Sequence, residues 1–339
     1  MAKVAINGLG RIGRAFLRLA TAHAELEIVA VNDLGDIDNL AYLLKYDTAY
    51  GKSGLKIEAK KDGEKPYLSV NGHRVLFLNE KEPKNLPWGE LGIEVVVEST
   101  GFFESFESAR GHIEAGAKRV VITAPAKGGG DGVTVLMGIN EDELKHFPVS
   151  SNASCTTNAG SPVMAILDEA LGIEKALLNT VHAYTATQKI VDAPDKGDFR
   201  RGRAGAQNIV PSTTGAAIAV TKALPSLAGK FDGIALRVPV ISGSIADITF
   251  VAKKTTTPEE VNAILEKAAS EERWQGVFTT TREAVVSSDI VGNTHGAIAD
   301  LSFTKVVGGN LVKVLVWYDN EMGYANTLVR HVLKAGEFL

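Results

Sequence analysis

One cysteine is present among the 339 residues, and its neighbours are those a nucleophile needs. It lies in Ser151-Asn152-Ala153-Ser154-Cys155-Thr156-Thr157-Asn158, after the apolar run Phe147-Pro148-Val149 and before a segment, Asn158 to Leu171, with apolar residues at helical spacing. Cys155 is therefore expected on a strand-to-helix turn, near a helix N-terminus. Unpaired amides and the positive end of the helix dipole favour an anion there, which lowers a thiol's pKa and raises its thiolate fraction. Ser154, Thr156 and Thr157 add hydroxyl donors suited to an oxyanion or a phosphate. Taken alone, the stretch also describes a buried, inert cysteine whose Ser and Thr neighbours only cap the helix. A thiol nucleophile also needs a base. His182, in the strand-like Thr180-Val181-His182-Ala183-Tyr184-Thr185, is the best-placed histidine, although a solitary histidine in a strand also fits a satisfied core position.

A second chemical signal opens the chain. The short apolar run Val4-Ala5-Ile6 leads into Gly8-Leu9-Gly10-Arg11-Ile12-Gly13 and then a helical pattern to Ala22. This is G-x-G-x-x-G in the context it requires: glycines for a tight turn and for close approach to a pyrophosphate, which sits on the helix N-terminus. A second strand, Glu27 to Asn32, ends at Asp33, twenty residues beyond Gly13, where an acid binds the adenosine ribose hydroxyls. Glycines that serve only helix packing, with Asp33 as a cap, are the alternative.

The elements that position these residues are legible as an α/β chain. Ile93 to Thr100 and Arg119 to Thr123 read as parallel-type strands, so Thr100 and Thr123 fall at strand ends, where open α/β sheets bind ligands. The segment from Leu55 to Leu78, broken at Asp62-Gly63 and Asn71-Gly72, reads as an antiparallel excursion. Lys127 to Gly132 is glycine-rich but lacks the spacing and terminal Lys-Ser/Thr of a phosphate loop, and reads as a turn. Beyond Cys155 the strands lengthen and carry β-branched residues, which predicts a second, α+β domain on a mostly antiparallel sheet. Between them Thr187 to Gln207 is too long for an ordinary connection, and its Arg200, Arg201 and Arg203 suit an anion, another subunit or solvent.

Composition bounds the rest. Apolar residues make up 45% and charged residues 22%, enough for sizeable cores in two domains. A net charge of -4 gives no general attraction to nucleic acid or acidic membranes. A lone cysteine forms no intrachain disulfide and no cysteine cluster for a metal, and fits a reducing compartment, so a cytoplasmic protein without bound metal is expected. No signal peptide is read at the N-terminus, and no apolar run approaches the ~18 residues of a membrane span.

Three motifs together, the octapeptide around Cys155, Asn7 to Arg14 and Trp317-Tyr-Asp-Asn-Glu-Met-Gly-Tyr324, resemble the phosphorylating glyceraldehyde-3-phosphate dehydrogenases, and the likeness runs end to end. His182 to Gln188, Arg200 to Arg203, Pro211 to Ala217 and Arg237-Val-Pro239 fall where that family places them. The resemblance implies a Rossmann-type doubly wound parallel sheet over residues 1–154, rejoined by 320–339, and a catalytic domain over 155–319. It implies a homotetramer in which the Thr187 to Gln207 loop lies at a subunit interface. It also implies the reaction: Cys155, paired with His182, attacks glyceraldehyde 3-phosphate, hydride passes to NAD, and inorganic phosphate attacks the resulting thioester to give 1,3-bisphosphoglycerate.

Carried over by position, Thr185, Thr187 and Arg237 match the substrate-phosphate site, and Ser154, Thr156, Thr214 and Gly215 the attacking-phosphate site. Asn320 matches the residue that orients the nicotinamide carboxamide; the alternative for Asp319-Asn320 is an N-cap on the last helix. The cofactor contacts expected are Asn7, Gly8, Gly10, Arg11, Ile12, Gly13, Asp33, Thr100, Thr123, Asn320 and Tyr324. Two departures stand out: Ala159 replaces a frequent second cysteine, and Val240 to Ser244 departs from the usual segment after Arg237-Val-Pro. Leu34 and Pro194 keep the residues that crowd a 2'-phosphate, whereas Gly35 and Ala193 are smaller than usual, so NAD is expected to be preferred and NADP usable at lower efficiency. The competing functions are a related dehydrogenase acting on erythrose 4-phosphate with water as acceptor, and a non-catalytic nucleotide- or RNA-binding protein.

Overall fold

A computed structural model describes residues 1–63 and 65–339; Glu64, within the expected antiparallel excursion, lies outside the described residues. The chain forms two compact units, residues 1–153 with 328–339, and residues 154–327.

The first unit is built on a nine-stranded sheet. Its strands run in the order Val133–Thr134, Val149–Ser151, Arg119–Ile122, Val95–Glu98, Ala2–Asn7, Leu26–Asn32, His73–Leu78, Lys65–Val70 and Ile57–Asp62. All pairings as far as His73–Leu78 are parallel. The last two are antiparallel, as the excursion reading requires. Their turns fall at Gly63 and at Asn71-Gly72, each at positive φ. A parallel sheet covered on both faces needs strands apolar on both faces, and Val95, Val96 and Val97 are all fully buried. Leu328, Val329 and Val332 pack into the same core as Val4, Ile6 and Val97.

The second unit holds a seven-stranded sheet in the order Val210–Thr213, Phe231–Val238, Ile173–Ala183, Ser244–Ala252, Leu311–Tyr318, Ala297–Val307 and Phe278–Thr281. Four of its six pairings are antiparallel. Residues of Ser244–Ala252 alternate strictly between buried and half-buried, the period-two signature of a strand with one face on a core. The helix Cys155–Leu171 packs on this sheet, with Val163, Met164 and Leu167 fully buried.

Among the described residues, no helix is long and apolar enough to cross a membrane, and no group of three or more His, Cys, Asp or Glu side chains is arranged to hold a metal ion.

Candidate active site

Cys155 is the first residue of its helix, three residues earlier than the apolar pattern suggests. Ser154 starts the helix by accepting the Thr157 N–H at 3.1 Å. Ala153 just before it is held at φ 54°, a left-handed conformation that costs an alanine about 1 kcal/mol and turns the chain sharply into the helix. His182 arrives by strand register. Ile173–Ala183 pairs in parallel with Phe231–Val238 so that His182 stands opposite Arg237, on the same face. Its Nε2 lies 3.3 Å from Cys155 Sγ. The other ring nitrogen, Nδ1, lies 2.7 Å from the Ala183 carbonyl oxygen and 2.6 Å from Arg237 Nη1. The ring stands edge-on to Tyr318, with centroids 5.9 Å apart.

Electrostatics here differ from the sequence expectation. Burial pushes the Cys155 thiol above its ordinary value, opposed by the charge of Arg237 and hydrogen bonds from Thr156. Burial, and then the Arg237 charge, pushes His182 down to about 3. The helix dipole is present, but depth outweighs it. Burial thus acts on both members of the pair in the sense that favours their neutral forms.

The hydroxyl groups proposed for phosphate are distributed unevenly. Thr185 and Thr187 place their hydroxyls 2.9 Å apart, exposed, just beyond His182 in the chain. The Thr156 hydroxyl is joined at 2.8 Å to Tyr318 Oη, which lies 2.7 Å from the Thr180 hydroxyl. Gly215 caps the helix Ala216–Ala223, and a side chain at that position would meet open space. Thr214 accepts the Ala216 N–H at 3.2 Å. Among the described residues, no hydrogen bond links Thr185, Thr187, Thr214 or Gly215 to Cys155 or His182.

Asp319 and Asn320 have separate roles. Asp319, fully buried, caps the last helix by accepting the Glu321 and Met322 N–H groups at 2.9 and 3.0 Å, and also accepts the Ser242 hydroxyl at 2.9 Å and the Gly292 N–H at 2.7 Å. Asn320 instead accepts the Ser244 hydroxyl at 2.9 Å. The segment that departs from the family pattern is thus seated on both residues.

In the first unit, a cavity of about 450 Å³ opens over the glycine turn, lined by Gly8, Gly10, Asp33, Leu34, Thr100 and Phe102 among others. The three glycines do different things. Gly8 is at φ 94°, and a Cβ there would come within 2.7 Å of the Thr100 nitrogen. A Cβ on Gly13 would collide with the Gly8 carbonyl, whereas one on Gly10 would meet nothing within 4 Å. The turn is closed where helix meets strand and open where a pyrophosphate must approach. Gly10 caps the helix Arg11–Ala20 with no side chain, and Arg11 and Ile12 supply its first-turn N–H groups. The Arg11 guanidinium pairs with Asp47 at 2.6 Å. Asp33 accepts the Leu9 N–H at 2.6 Å on one oxygen and the Gly35 N–H at 2.7 Å on the other, leaving lone pairs for two ribose hydroxyls. Thr100 is fixed from below by buried Glu98, which accepts its N–H at 2.8 Å and its hydroxyl at 2.5 Å. The same carboxylate accepts from Asn7 at 2.6 Å and meets His112 Nε2 at 2.9 Å. Because the Trp88 indole N–H donates to His112 Nδ1 at 2.9 Å, the proton of this neutral imidazole is on Nε2. Thr123 donates its N–H to the Glu98 carbonyl at 2.9 Å, beside this cluster.

A turn shaped for a dinucleotide and a thiol–imidazole–guanidinium cluster are what a phosphorylating aldehyde dehydrogenase requires, and the comparisons agree. Residues 2–106 match the model of the glyceraldehyde 3-phosphate dehydrogenase NAD binding domain, and residues 154–320 match its C-terminal domain. The chain belongs to the glyceraldehyde-3-phosphate dehydrogenase family. Proteins named glyceraldehyde-3-phosphate dehydrogenase are similar to it over nearly their whole length. One from Streptomyces coelicolor is 48% identical over 330 residues, covering 96% of each chain. One from Clostridium pasteurianum is 48% identical over 335 residues and 97% of each chain. A third, from Kluyveromyces lactis, named glyceraldehyde-3-phosphate dehydrogenase 1, is 46% identical over 336 residues, covering 98% of this chain and 100% of its own. Like its family, the chain is an NAD-dependent glyceraldehyde-3-phosphate dehydrogenase acting in glycolysis, with glyceraldehyde 3-phosphate and phosphate as substrates. Neither the erythrose 4-phosphate reading nor a non-catalytic binding protein is supported.

Set against this family, sequence reasoning missed Tyr318, Ser242 and Ser244. Tyr318 lies inside the closing motif, but only its hydrogen bonds to Thr156 and Thr180 mark it as part of the site. The two serines lie in the departing segment and carried no signal of their own.

Proposed function

We propose that Cys155 and His182 carry the oxidation, with Arg237, Thr185 and Thr187 holding the substrate's phosphate. The supporting observation is the 3.3 Å approach of Sγ to Nε2 at a helix N-terminus beside a guanidinium. Sγ bonds to the aldehyde carbon while the thiol proton passes to Nε2. The oxygen, as an oxyanion, is held by the Cys155 N–H and the imidazolium, then takes that proton to give a hemithioacetal. Bound NAD supplies a hydride acceptor. His182 removes the hydroxyl proton as the C–H electron pair leaves, and a thioester results. Inorganic phosphate, bound by Ser154, Thr156, Thr214 and Gly215, adds to the thioester carbonyl, and the C–S bond breaks to release the acyl phosphate and the thiolate.

On this reading, residues 1–154 and 320–339 are the cofactor domain and 155–319 the catalytic domain. Asn320 and Tyr324 complete the cofactor contacts. A homotetramer in the cytoplasm is part of the same proposal; the exposed Ile190, Val191 and Phe199 of the long loop favour a partner surface. NADH formation from glyceraldehyde 3-phosphate, measured with and without phosphate or arsenate, tests the mechanism. Turnover that collapses without either anion is expected, and equal rates would rule out attack by phosphate.

A further inference from the structure

Beneath the cavity over the glycine turn runs a buried polar chain whose ends reach two of the cavity's walls. Each of its hydrogen bonds can point only one way. The Trp88 indole has a donor and no acceptor, so His112 Nδ1 accepts it at 2.9 Å, and the ring's hydrogen sits on Nε2, 2.9 Å from Glu98 Oε2. At the other end the Glu80 N–H donates to Asn32 Oδ1 at 2.9 Å. Asn32 Nδ2 therefore donates to the Glu80 carbonyl at 2.8 Å and to Asn7 Oδ1 at 2.7 Å. That leaves Asn7 Nδ2 to donate to Glu98 Oε2 at 2.6 Å. Glu98 Oε1 accepts from Thr100 twice, through its N–H and its hydroxyl. Four donors thus fill the lone-pair sites of one carboxylate, with Trp88, His112, Glu98, Asn7 and Asn32 all buried.

Asn7, Asn32, Glu80 and Thr100 line the cavity, whereas Glu98, His112 and Trp88 do not. The Thr100 hydroxyl also accepts the Phe102 N–H at 3.1 Å, and Phe102 is the exposed aromatic of that wall. Ser99 ties the same segment to the glycine turn, its hydroxyl donating to the Gly8 carbonyl at 2.6 Å. Asp33, assigned to the ribose hydroxyls, lines the same cavity, which places the adenosine half of the cofactor between the walls. We infer that Trp88, His112 and Glu98 are positioning residues for the cofactor. They hold the Thr100–Phe102 wall and, through Asn7 and Asn32, the Glu80 wall at the spacing the adenosine half needs. The inference rests on the reading of this cavity as the adenosine site and adds three residues that never touch the cofactor. The gain is preorganisation, because ordering two loops at the moment of binding would subtract from affinity. Only a carboxylate serves at the centre. Glutamine of the same shape must turn its NH2 toward Thr100 or toward Asn7 and His112, and each side presents donors. His112 cannot relieve the clash by moving its hydrogen to Nδ1, since the Trp88 N–H already occupies that lone pair. The Thr100 hydroxyl alone can turn to accept, so the amide NH2 faces Thr100 and the Thr100 N–H is released.

Calorimetric titration with NAD, and with ADP as the adenosine half alone, reads the effect. Glu98→Gln should weaken both about tenfold or more, and Trp88→Phe, which removes one N–H and keeps an aromatic ring, should weaken both about three- to tenfold. With NAD saturating, kcat should return to within about twofold of wild type and KM for glyceraldehyde 3-phosphate should stay unchanged, since only binding of the cofactor is affected. A double-mutant cycle separates positioning from general loosening. Trp88 acts through His112 on Glu98, so the Glu98→Gln/Trp88→Phe protein should bind no more weakly than Glu98→Gln alone, whereas independent packing losses would multiply. Val70→Ala supplies the control: Val70 is buried in the same sheet but outside the cavity lining, and its truncation lowers the urea midpoint while leaving both affinities within about twofold. Multiplying losses in the cycle, or a loss in Val70→Ala as large as in Trp88→Phe, overturns the inference. If Glu98→Gln does not fold, Trp88→Phe decides alone, and unchanged NAD and ADP affinities there overturn it as well. Wild-type affinity for ADP in Asp33→Ala instead removes the adenosine-site reading, and the inference with it.

Discussion

Asp33→Asn and Asp33→Ala together test how the cofactor is selected. The Asp33 carboxylate accepts one backbone N–H on each oxygen, from Leu9 and from Gly35. Asparagine keeps one oxygen and turns an NH2 toward the other donor. Burial decides which donor keeps its acceptor: Leu9 is fully buried and Gly35 is exposed, so the oxygen faces Leu9 and water serves Gly35. The loss in Asp33→Asn is then one charge-assisted bond to the ribose, about 1.5–3 kcal/mol, or roughly 10- to 150-fold in the Kd for NAD. Removal of the negative charge also relieves repulsion of a 2'-phosphate, so NADP should bind no worse than to wild type. Alanine additionally leaves the buried Leu9 N–H without an acceptor, a further cost of about 1–3 kcal/mol borne by both cofactors. Equilibrium fluorescence titration of each variant with NAD and NADP gives four constants to set against wild type. NAD affinity within twofold of wild type in Asp33→Asn would show that Asp33 is not the ribose ligand. Equal affinities in the two variants would show that the carboxylate does not pin the glycine turn.

Other outcomes follow from the same geometry. Wild-type kcat/KM should favour NAD over NADP, with the NADP value falling more steeply between low and high salt because its extra phosphate relies on screened charges; a salt-independent ratio would exclude such charges. Gly35→Thr should reduce NADP use while sparing NAD, since a Cβ there sits 3.0 Å from an Asp33 oxygen, and steady-state rates with both cofactors would show it. Cys155→Ser should abolish oxidation yet keep NAD affinity within about twofold, because a hydroxyl is far less ionised than a thiol at neutral pH; residual turnover above about a thousandth of wild type would displace Cys155 as nucleophile. Acid should destabilise the fold through His182 and His331, both pushed down to about 3 by burial. Their imidazoles take up protons near 6.5 when unfolded, so their contribution to stability is complete above that pH and is lost as pH falls toward about 3. The urea midpoint should drop over that interval, and less so in His331→Gln.

The first unit was the more legible half. Its turns are written in Asp62-Gly63 and Asn71-Gly72, and its ligand loop in glycines whose spacing has a steric reason. The helix start was misjudged by three residues because Thr156 and Thr157 are β-branched and weak helix formers, so periodicity became visible only at Asn158. The Ser154 cap and burial on the sheet prevail over that propensity. The thiol's direction of shift was misjudged for a related reason: sequence reveals a helix terminus but not how deeply it is buried. Asp319 and Asn320 are adjacent letters, and only the fold assigns the helix cap and Ser242 to one and Ser244 to the other. The contact between His182 and Arg237 depends on the register of two strands about fifty residues apart, which no local pattern encodes.

Cys155 is the only thiol in the chain, and this bears on how a damaged molecule is repaired. Many oxidised cysteines are protected by a neighbouring thiol, which condenses with the sulfenic acid and holds it as a disulfide until a reductant arrives. Ala159 stands one helical turn onward, where the family often supplies a second thiol, and no other cysteine can take its place. A sulfenic acid formed on Cys155 must therefore await a thiol from outside the chain, and until one arrives it is open to further, irreversible oxidation. Survival under peroxide thus depends on the surrounding pool of small thiols rather than on anything the protein carries.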